Sequence, residues 1–304
     1  IGPTEEYVPK AGANIAECYR GSPPSDLDHN QSVVGERIGK PPCTVETKEA
    51  FDRFASETAA RGSNLMLSSE LFDTAYDTSG LASTLNAFDT TIAVSYRPLF
   101  DWMQSVHNQV GKHKGDTRAA AFQTLVEVLE EAAANITRYE YWPMYSVPVY
   151  DRYKKTFSSV AVLDSMGPPD QSIPFFCDVA DAPHMCAHVR GQTFPHTNSH
   201  VNIDHYDVAS AAVKKGLVKA PNACLGAVGQ SFLSQGAGEL PRKCISKKAQ
   251  DSLKSSSLDA EKKFFPDRDG SELIAQFDQA LKGSLCSVDT DSLLAQPTWR
   301  DFFA

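Results

Sequence analysis

Residues 90–105 read TTIAVSYRPLFDWMQS, and this stretch decides the fold that we expect for the chain. Residues 90–96 are rich in apolar and β-branched side chains and predict a short buried strand. Pro98 suits the first turn of a helix, so the chain should leave the strand at Arg97 and enter a helix at once. A strand followed directly by a helix indicates an α/β protein with a parallel sheet.

The polar residues after this strand predict an anion-binding site. The planar guanidinium of Arg97 suits a phosphate, and Ser105, eight residues later, adds a hydroxyl donor. The start of the helix adds unpaired N–H groups and the positive end of the helix dipole. The alternative is an ordinary arginine in a surface salt bridge and a serine on a solvated helix face.

Helical periodicity places the polar residues on one side of the helix. Asp101, Ser105 and Asn108 should share a face with Arg97. The sheet-facing stripe is predicted to consist of four apolar residues, Leu99, Trp102, Val106 and Val110.

Arg97, Asp101 and Ser105 resemble the 3′-phosphate-binding segment of the P-loop-like sulfotransferases. In that family a strand often ends in Arg-x-Pro-x-Asp, and a serine follows eight positions after the arginine; Pro98 stands one residue earlier here. The resemblance implies that Arg97 and Ser105 bind the 3′-phosphate of the sulfuryl donor, 3′-phosphoadenosine 5′-phosphosulfate (PAPS), and that no metal is needed. Residues 217, 240–244, 285–289 and 299–303 are loosely similar to uncharacterised algal sulfotransferase-like proteins.

The resemblance also implies a P-loop NTPase-like fold, a central parallel sheet flanked by helices. Further strands are predicted at residues 64–69 and 158–164, and helices at 46–61, 80–88, 117–139, 203–217, 243–256 and 271–281. We expect one sulfotransferase-like domain over residues 1–304, with a boundary near Met166. Residues 1–166 should form the nucleotide-binding half, and residues 167–304 a helical remainder over the acceptor cleft.

Glu70 is the candidate catalytic base. It follows the strand predicted at residues 64–69, and ligands of open parallel sheets bind beyond the carboxyl ends of the strands. A carboxylate there could take the proton of an acceptor hydroxyl, as His or Glu does in the resembled family. In the structural alternative, Ser69 caps a helix and Glu70 lies in its first turn. His200 and His205 are the alternative bases.

The loop that would hold the 5′-phosphosulfate has two imperfect matches to the family pattern Pro-x-Lys-[ST]-Gly-[ST]-[ST]. Ile1-Gly2-Pro3 resembles the end of the opening strand, but Thr4 follows in place of the loop. Residues 9–14, PKAGAN, keep the lysine and glycine at the right spacing. We favour the first match, with the loop missing between Pro3 and Thr4.

These sequence features fit three functions. The first is a sulfotransferase that moves a sulfuryl group from PAPS to a hydroxyl of a glycan or another secretory-pathway acceptor. The second is an inactive sulfotransferase-like fold that serves as a structural or glycan-binding subunit. The third is a glycosyltransferase, for which Asp289-Thr290-Asp291 has the form of a metal motif but lies near the carboxyl terminus and not at the end of a central strand.

Two clusters of side chains suggest other ligands. His184, Cys186 and His188 alternate, which on a strand would direct three metal ligands to one face, although a loop beside the active-site cleft is favoured. An aromatic run at residues 139–150 could stack on sugar rings or pack in the core.

Charge and cysteine content limit the partners and the compartment. A formal net charge of −9 over 304 residues argues against nucleic-acid binding, and no apolar run is long enough for a membrane span. Seven cysteines without a CxxC pair favour disulfides or buried thiols. Two glycosylation sequons, at Asn30 and Asn135, fit a glycoprotein of the secretory lumen, in the Golgi or outside the cell.

Overall fold

The structure is a computed structural model of the chain. It describes residues 11–20, 43–114, 123–136, 145–165, 171–192, 204–217, 231, 234 and 240–297. Within these ranges, side chains are described except at residues 11–14, 70–71 and 109–114.

The chain has a mixed α/β structure, and most of its described residues lie in helices. The helices of its first half are α1 (Ala11–Cys18), α2 (Val45–Ala60), α3 (Thr78–Thr84), α4 (Leu99–Lys114), α5 (Leu125–Ala134) and α6 (Ser146–Lys154). Those of its second half are α7 (Pro183–Val189), α8 (Asp204–Lys214), α9 (Lys247–Phe264), α10 (Ser271–Ala280) and α11 (Thr290–Leu294). A 3₁₀-helix spans Glu70–Thr74 and a π-helix spans Pro174–Val179. None of the described helices is long and apolar enough to cross a membrane.

Two small sheets accompany these helices. Strands β1 (Thr91–Tyr96) and β2 (Ser159–Asp164) pair in parallel, from Thr91 opposite Ser159 to Tyr96 opposite Asp164. Strands β3 (Arg242–Cys244) and β4 (Cys286–Val288) form an antiparallel ribbon. The strands predicted at residues 90–96 and 158–164 are thus confirmed, and so is their parallel pairing. The described residues contain no larger central sheet, so a P-loop-like fold stays a prediction.

The strand predicted at residues 64–69 is wrong, because this segment is irregular and leads into the 3₁₀-helix. Tertiary hydrogen bonds hold the following turn. Tyr153 donates its hydroxyl to the carbonyl of Phe72 at 2.9 Å, and the Arg152 guanidinium donates to the carbonyl of Asp73. The carbonyls of Phe72 and Asp73 therefore accept hydrogen bonds from side chains of α6. Strand β1 pairs with β2.

The chain divides into two compact units that do not follow the predicted boundary near Met166. The first unit is Ile1–Tyr96 with Trp142–Gln192, and the second is Arg97–Tyr141 with Thr193–Ala304. The division falls directly between β1 and Arg97. Each unit has its own apolar core, as expected for structures that bury their hydrophobic surface separately.

The core of the first unit lies between β1, α2, α3 and α6. Tyr19 and Phe51 meet there edge to face, with ring centroids 6.4 Å apart. The Tyr19 hydroxyl donates to Thr84 Oγ1 at 2.8 Å, which in turn donates to Asp52 at 2.9 Å. The buried members of the cluster are Tyr19, Phe51, Ala75, Leu81, Leu85, Val94, Val149, Tyr153 and Phe157.

The second unit packs α4, α5, α9 and α10 around a separate set of apolar residues. Phe277 is fully buried, and its ring meets that of Phe100 edge to face at 5.0 Å. Helix α5 begins with a capping box, in which Thr124 and Glu127 satisfy each other's backbone N–H groups. A further apolar cluster joins α8, β4 and α11 through Val208, Ala211, Ala212, Val288, Leu293 and Leu294.

Six of the seven cysteines form three disulfide bonds: Cys18–Cys43, Cys177–Cys186 and Cys244–Cys286. The remaining cysteine, Cys224, lies outside the described residues. Disulfides form and persist in oxidising compartments, so these bonds are consistent with a secreted or lumenal protein.

Candidate anion site

Arg97 and Ser105 both belong to the second unit, and the structure confirms the predicted order of the strand, the connection and the helix that carry them. Strand β1 ends at Tyr96, Arg97 and Pro98 form the connection, and α4 begins at Leu99. Because an α-helix turns once in 3.6 residues, Asp101 and Ser105 lie on the same side of α4. Arg97 precedes the helix. Ser105 is half-buried and lies about one helical turn beyond Asp101.

The Arg97 guanidinium already has a carboxylate beside it. Its Nη1 lies 3.8 Å from Asp101 Oδ2, and the two side chains are 39% and 22% exposed. This distance is too long for a hydrogen bond, so the contact is a loose ion pair. Ion pairs near the surface contribute only about 0.2–1 kcal/mol, and this partly exposed pair is long, so a stronger anion could compete for the guanidinium.

The start of α4 is less open than the sequence suggests. The Leu99 N–H donates to Ser257 Oγ of α9 at 3.1 Å, and the Asp101 N–H donates to the Pro98 carbonyl at 3.1 Å. Leu99 is fully buried. The expectation that α4 offers unpaired N–H groups is therefore wrong for these two positions. An anion at this place would rely on the side chains of Arg97 and Ser105.

The buried face of α4 also differs from the predicted apolar stripe. Val106 is 36% exposed, whereas Phe100 and Met103 are buried together with Leu99. Phe100 turns inward because Phe277 of α10 meets its ring. Two overlapping apolar patterns run along this helix, and the neighbouring helices decide which of them is buried.

Glu70 lies in the first unit, at the start of the 3₁₀-helix Glu70–Thr74 and not at the end of a strand. This is close to the structural alternative, in which Glu70 lies in the first turn of a helix. The strand-end geometry that suggested a base is thus absent from the described backbone, and the Glu70 side chain is outside the description. The role of Glu70 as a base stays a prediction.

His184, Cys186 and His188 lie in a helix, so both the favoured loop and the alternative strand are wrong. They lie on α7, and Cys186 is bonded to Cys177. In a helix, alternate residues point in different directions, so the three side chains cannot share a face as on a strand. Among the residues that the structure describes, no group of three or more His, Cys, Asp or Glu could hold a metal ion.

The other residues considered from the sequence have structural partners or lie outside the description. His205 is buried on α8, with its ring 4.1 Å from that of Tyr206, and Tyr145 of the aromatic run is buried in the core. Asp289 accepts from the N–H of Ser292 at the start of α11, so it is a helix cap. The predictions at His200, Ile1-Gly2-Pro3, Pro9 and Lys10 fall outside the described residues, whereas Ala11 to Asn14 lie in α1.

A buried carboxyl that sequence patterns did not indicate lies on α8. Asp207 is 2% exposed, and its Oδ1 has no hydrogen-bond partner within the described part of the chain. Arg242 forks onto both oxygens of Asp204 at 2.8 and 2.6 Å, and Lys214 lies 3.5 Å from Glu127. Arg242 and Lys214 therefore form their ion pairs with carboxylates other than that of Asp207.

Burial raises the pKa of Asp207 well above its ordinary value, and the negative charges of Asp204 and Glu127 raise it further. Arg242 and Lys214 oppose this shift. The only sequence signal was the acidic first turn of a helix, which normally indicates a solvent-exposed interaction with the helix dipole. Carboxyl groups whose pKa is raised by burial are common at functional sites.

Comparison of the chain with protein-family models, with curated proteins and with solved structures finds no match. The functional assignment therefore depends on the residues of this chain and on the geometry described above.

Proposed function

We propose that the protein is a sulfotransferase that binds PAPS through Arg97 and Ser105 and transfers its sulfuryl group to a hydroxyl of a glycan or another secretory-pathway acceptor. The observation that carries the proposal is the continuous order of β1, Arg97, Pro98 and α4, with Ser105 two turns into the helix. The three disulfide bonds support an acceptor met in the secretory pathway.

If an anion binds here, Arg97 exchanges its contact with Asp101 for hydrogen bonds to the anion. A phosphate accepts two parallel hydrogen bonds from a guanidinium, whereas Asp101 makes only a 3.8 Å contact with it. Ser105 would supply a further donor to the same phosphate. Asp101 would remain close to the bound anion and would repel it. Removing Arg97 should therefore weaken anion binding, and removing the charge of Asp101 should strengthen it.

The chemical step follows from the donor. The acceptor oxygen attacks sulfur, forming a new S–O bond while the S–O bond to the 5′-phosphate breaks. The hydroxyl proton passes to a base, for which Glu70 is our candidate, and adenosine 3′,5′-bisphosphate leaves. Donors fixed around the leaving phosphate would stabilise its developing charge, as in phosphoryl transfer.

We expect adenosine 3′,5′-bisphosphate to raise the melting temperature of the protein. A ligand present at a hundred times its Kd stabilises the native state by about 2.7 kcal/mol. Arg97→Ala should weaken binding about 10- to 100-fold, because it removes hydrogen bonds to a charged group. Differential scanning fluorimetry with a nucleotide titration measures both effects.

Two matched variants sharpen this test. Asp101→Asn should tighten nucleotide binding, because it removes the carboxylate beside the guanidinium. The exposed Arg53 provides a control arginine in the first unit, and Arg53→Ala should leave the shift unchanged. Equal nucleotide shifts in wild type, Arg97→Ala and Asp101→Asn would place any nucleotide site elsewhere.

Glu70→Gln tests the proposed base separately from binding. The variant should keep the nucleotide-induced shift and lose transfer about 10²- to 10⁴-fold, the usual contribution of a general base. Formation of adenosine 3′,5′-bisphosphate from PAPS in the presence of a glycan acceptor measures the rate. Transfer at the wild-type rate would remove Glu70 from the mechanism.

An inactive sulfotransferase-like protein is the second candidate function, and the backbone before Glu70 is the observation that favours it. Residues 64–69 form no strand, so the edge that should carry the base is absent from the described structure. For this candidate, wild-type protein should bind adenosine 3′,5′-bisphosphate and an acceptor glycan without any transfer from PAPS.

A further inference from the structure

The C-terminal end of α5 presents an exposed asparagine within a glycosylation sequon. Helix α5 ends at Ala134, and Asn135 is its C-cap residue. The residues that follow complete the triplet Asn135-Ile136-Thr137. Such a triplet in a secreted protein is an acceptor for an N-linked glycan when its asparagine is accessible.

The position of Asn135 separates its side chain from the packing of α5. The buried residues of this helix are Leu125, Val126, Leu129 and Ala132. Asn135 is exposed, and its backbone N–H remains bonded to the carbonyls of Glu131 and Ala132 at 3.0 and 3.1 Å. A bulky group on the side-chain amide would therefore leave both the helix end and its buried face unchanged.

The side-chain amide has one described hydrogen bond, from Nδ2 to the Glu131 carbonyl at 3.2 Å. An asparagine that carries a glycan keeps one N–H on this nitrogen, so one donor remains for that carbonyl. The contact is exposed, and water can replace it if the glycan reorients the amide.

The disulfide bonds supply the independent observation about the compartment. Cys18–Cys43, Cys177–Cys186 and Cys244–Cys286 join residues 25, 9 and 42 positions apart. Bonds of this kind form in an oxidising lumen, which in eukaryotic cells is also where asparagine-linked glycans are added.

We propose that Asn135 is a site of N-linked glycosylation. The donor is an oligosaccharide carried on a lipid pyrophosphate. Nδ2 forms a bond to the anomeric carbon of the first sugar while the bond from that carbon to the pyrophosphate oxygen breaks. Nδ2 loses one proton to a base of the transferring enzyme, and the lipid pyrophosphate leaves as an anion. The step is a substitution, with no net oxidation or reduction.

The test uses the full chain produced in a eukaryotic secretory host and analysed by peptide mapping. Enzymatic release of the glycan should convert the modified asparagine into aspartate in the peptide that contains residue 135. Asn135→Gln and Thr137→Ala should each remove one glycan from the intact mass, whereas Thr137→Ser should retain it, because serine also completes the sequon.

Peptide mapping of the wild-type chain decides the matter even where a variant is not secreted. An unmodified Asn135 peptide in secreted protein with its three disulfides formed would overturn the proposal. A glycan found at Asn30 alone would overturn it as well, and Asn30→Gln separates the two positions in the intact mass. Both results are independent of nucleotide binding, so they do not depend on the proposed function.

Discussion

Asp207→Asn should abolish a decline in stability that the wild-type protein shows as the pH rises. Burial holds the pKa of Asp207 well above its ordinary value, and Asp204 and Glu127 add to the shift. Below the ordinary aspartate pKa, the carboxyl is protonated in both the folded and the unfolded chain. Between that value and the raised pKa, only the folded state keeps the proton, so rising pH favours unfolding.

The size of this effect follows from proton linkage. One proton held only by the folded state makes the free energy of unfolding fall by about 1.4 kcal/mol per pH unit across that interval. Above the raised pKa, the folded protein contains a buried charge whose Oδ1 has no hydrogen-bond partner among the described residues. An asparagine has nearly the same shape and no charge, so the variant should be relatively more stable at the alkaline end.

Urea unfolding at a series of pH values measures this difference between wild type and variant. Asp291 serves as a matched control in the same unit, because its side chain is 79% exposed and pairs with Lys215 at 2.8 Å. Asp291→Asn should keep the wild-type decline. Parallel pH profiles for wild type and Asp207→Asn would show that folding does not raise the pKa of Asp207.

Removal of the Cys244–Cys286 disulfide should give the largest loss of stability among the three bonds. The bond joins β3 to β4 across a sequence separation of 42 residues. Constraining a loop of this length in the unfolded chain is worth about 4 kcal/mol in the chain-entropy treatment. The Cys244→Ser/Cys286→Ser double variant should lose most of that free energy of unfolding.

The Cys177–Cys186 bond provides an internal comparison, because its sequence separation is only 9 residues. The same treatment gives about 2.6 kcal/mol for its removal. The free energies of unfolding of the two double variants, measured in urea, should therefore differ by about 1.4 kcal/mol. The opposite order of stabilities would show that native packing around these bonds outweighs loop length.

Local signals were sufficient for the β1–α4 connection. The apolar and β-branched composition of residues 90–96 and the proline at 98 act within a few residues. The observed strand begins and ends within a residue of the prediction, and the helix begins directly after Pro98. The strand at residues 158–164 followed from the same kind of signal. The strand prediction for residues 64–69 failed because the carbonyls of the nearby Phe72 and Asp73 are hydrogen-bonded to side chains of α6, which is distant in sequence.

The candidate anion site likewise has features that local sequence predicts and features that depend on tertiary packing. The sequence by itself determined that Arg97 follows a strand and that Ser105 lies two turns into the next helix, because backbone preference and helical spacing are local. Only the tertiary structure decided which distant groups meet. Ser257 accepts the hydrogen bond from the Leu99 N–H, and Phe100 is buried against Phe277. Asp207 is also buried. Burial and hydrogen bonding to distant segments depend on which helices pack together, and spacing within one helix carries no information about its neighbours.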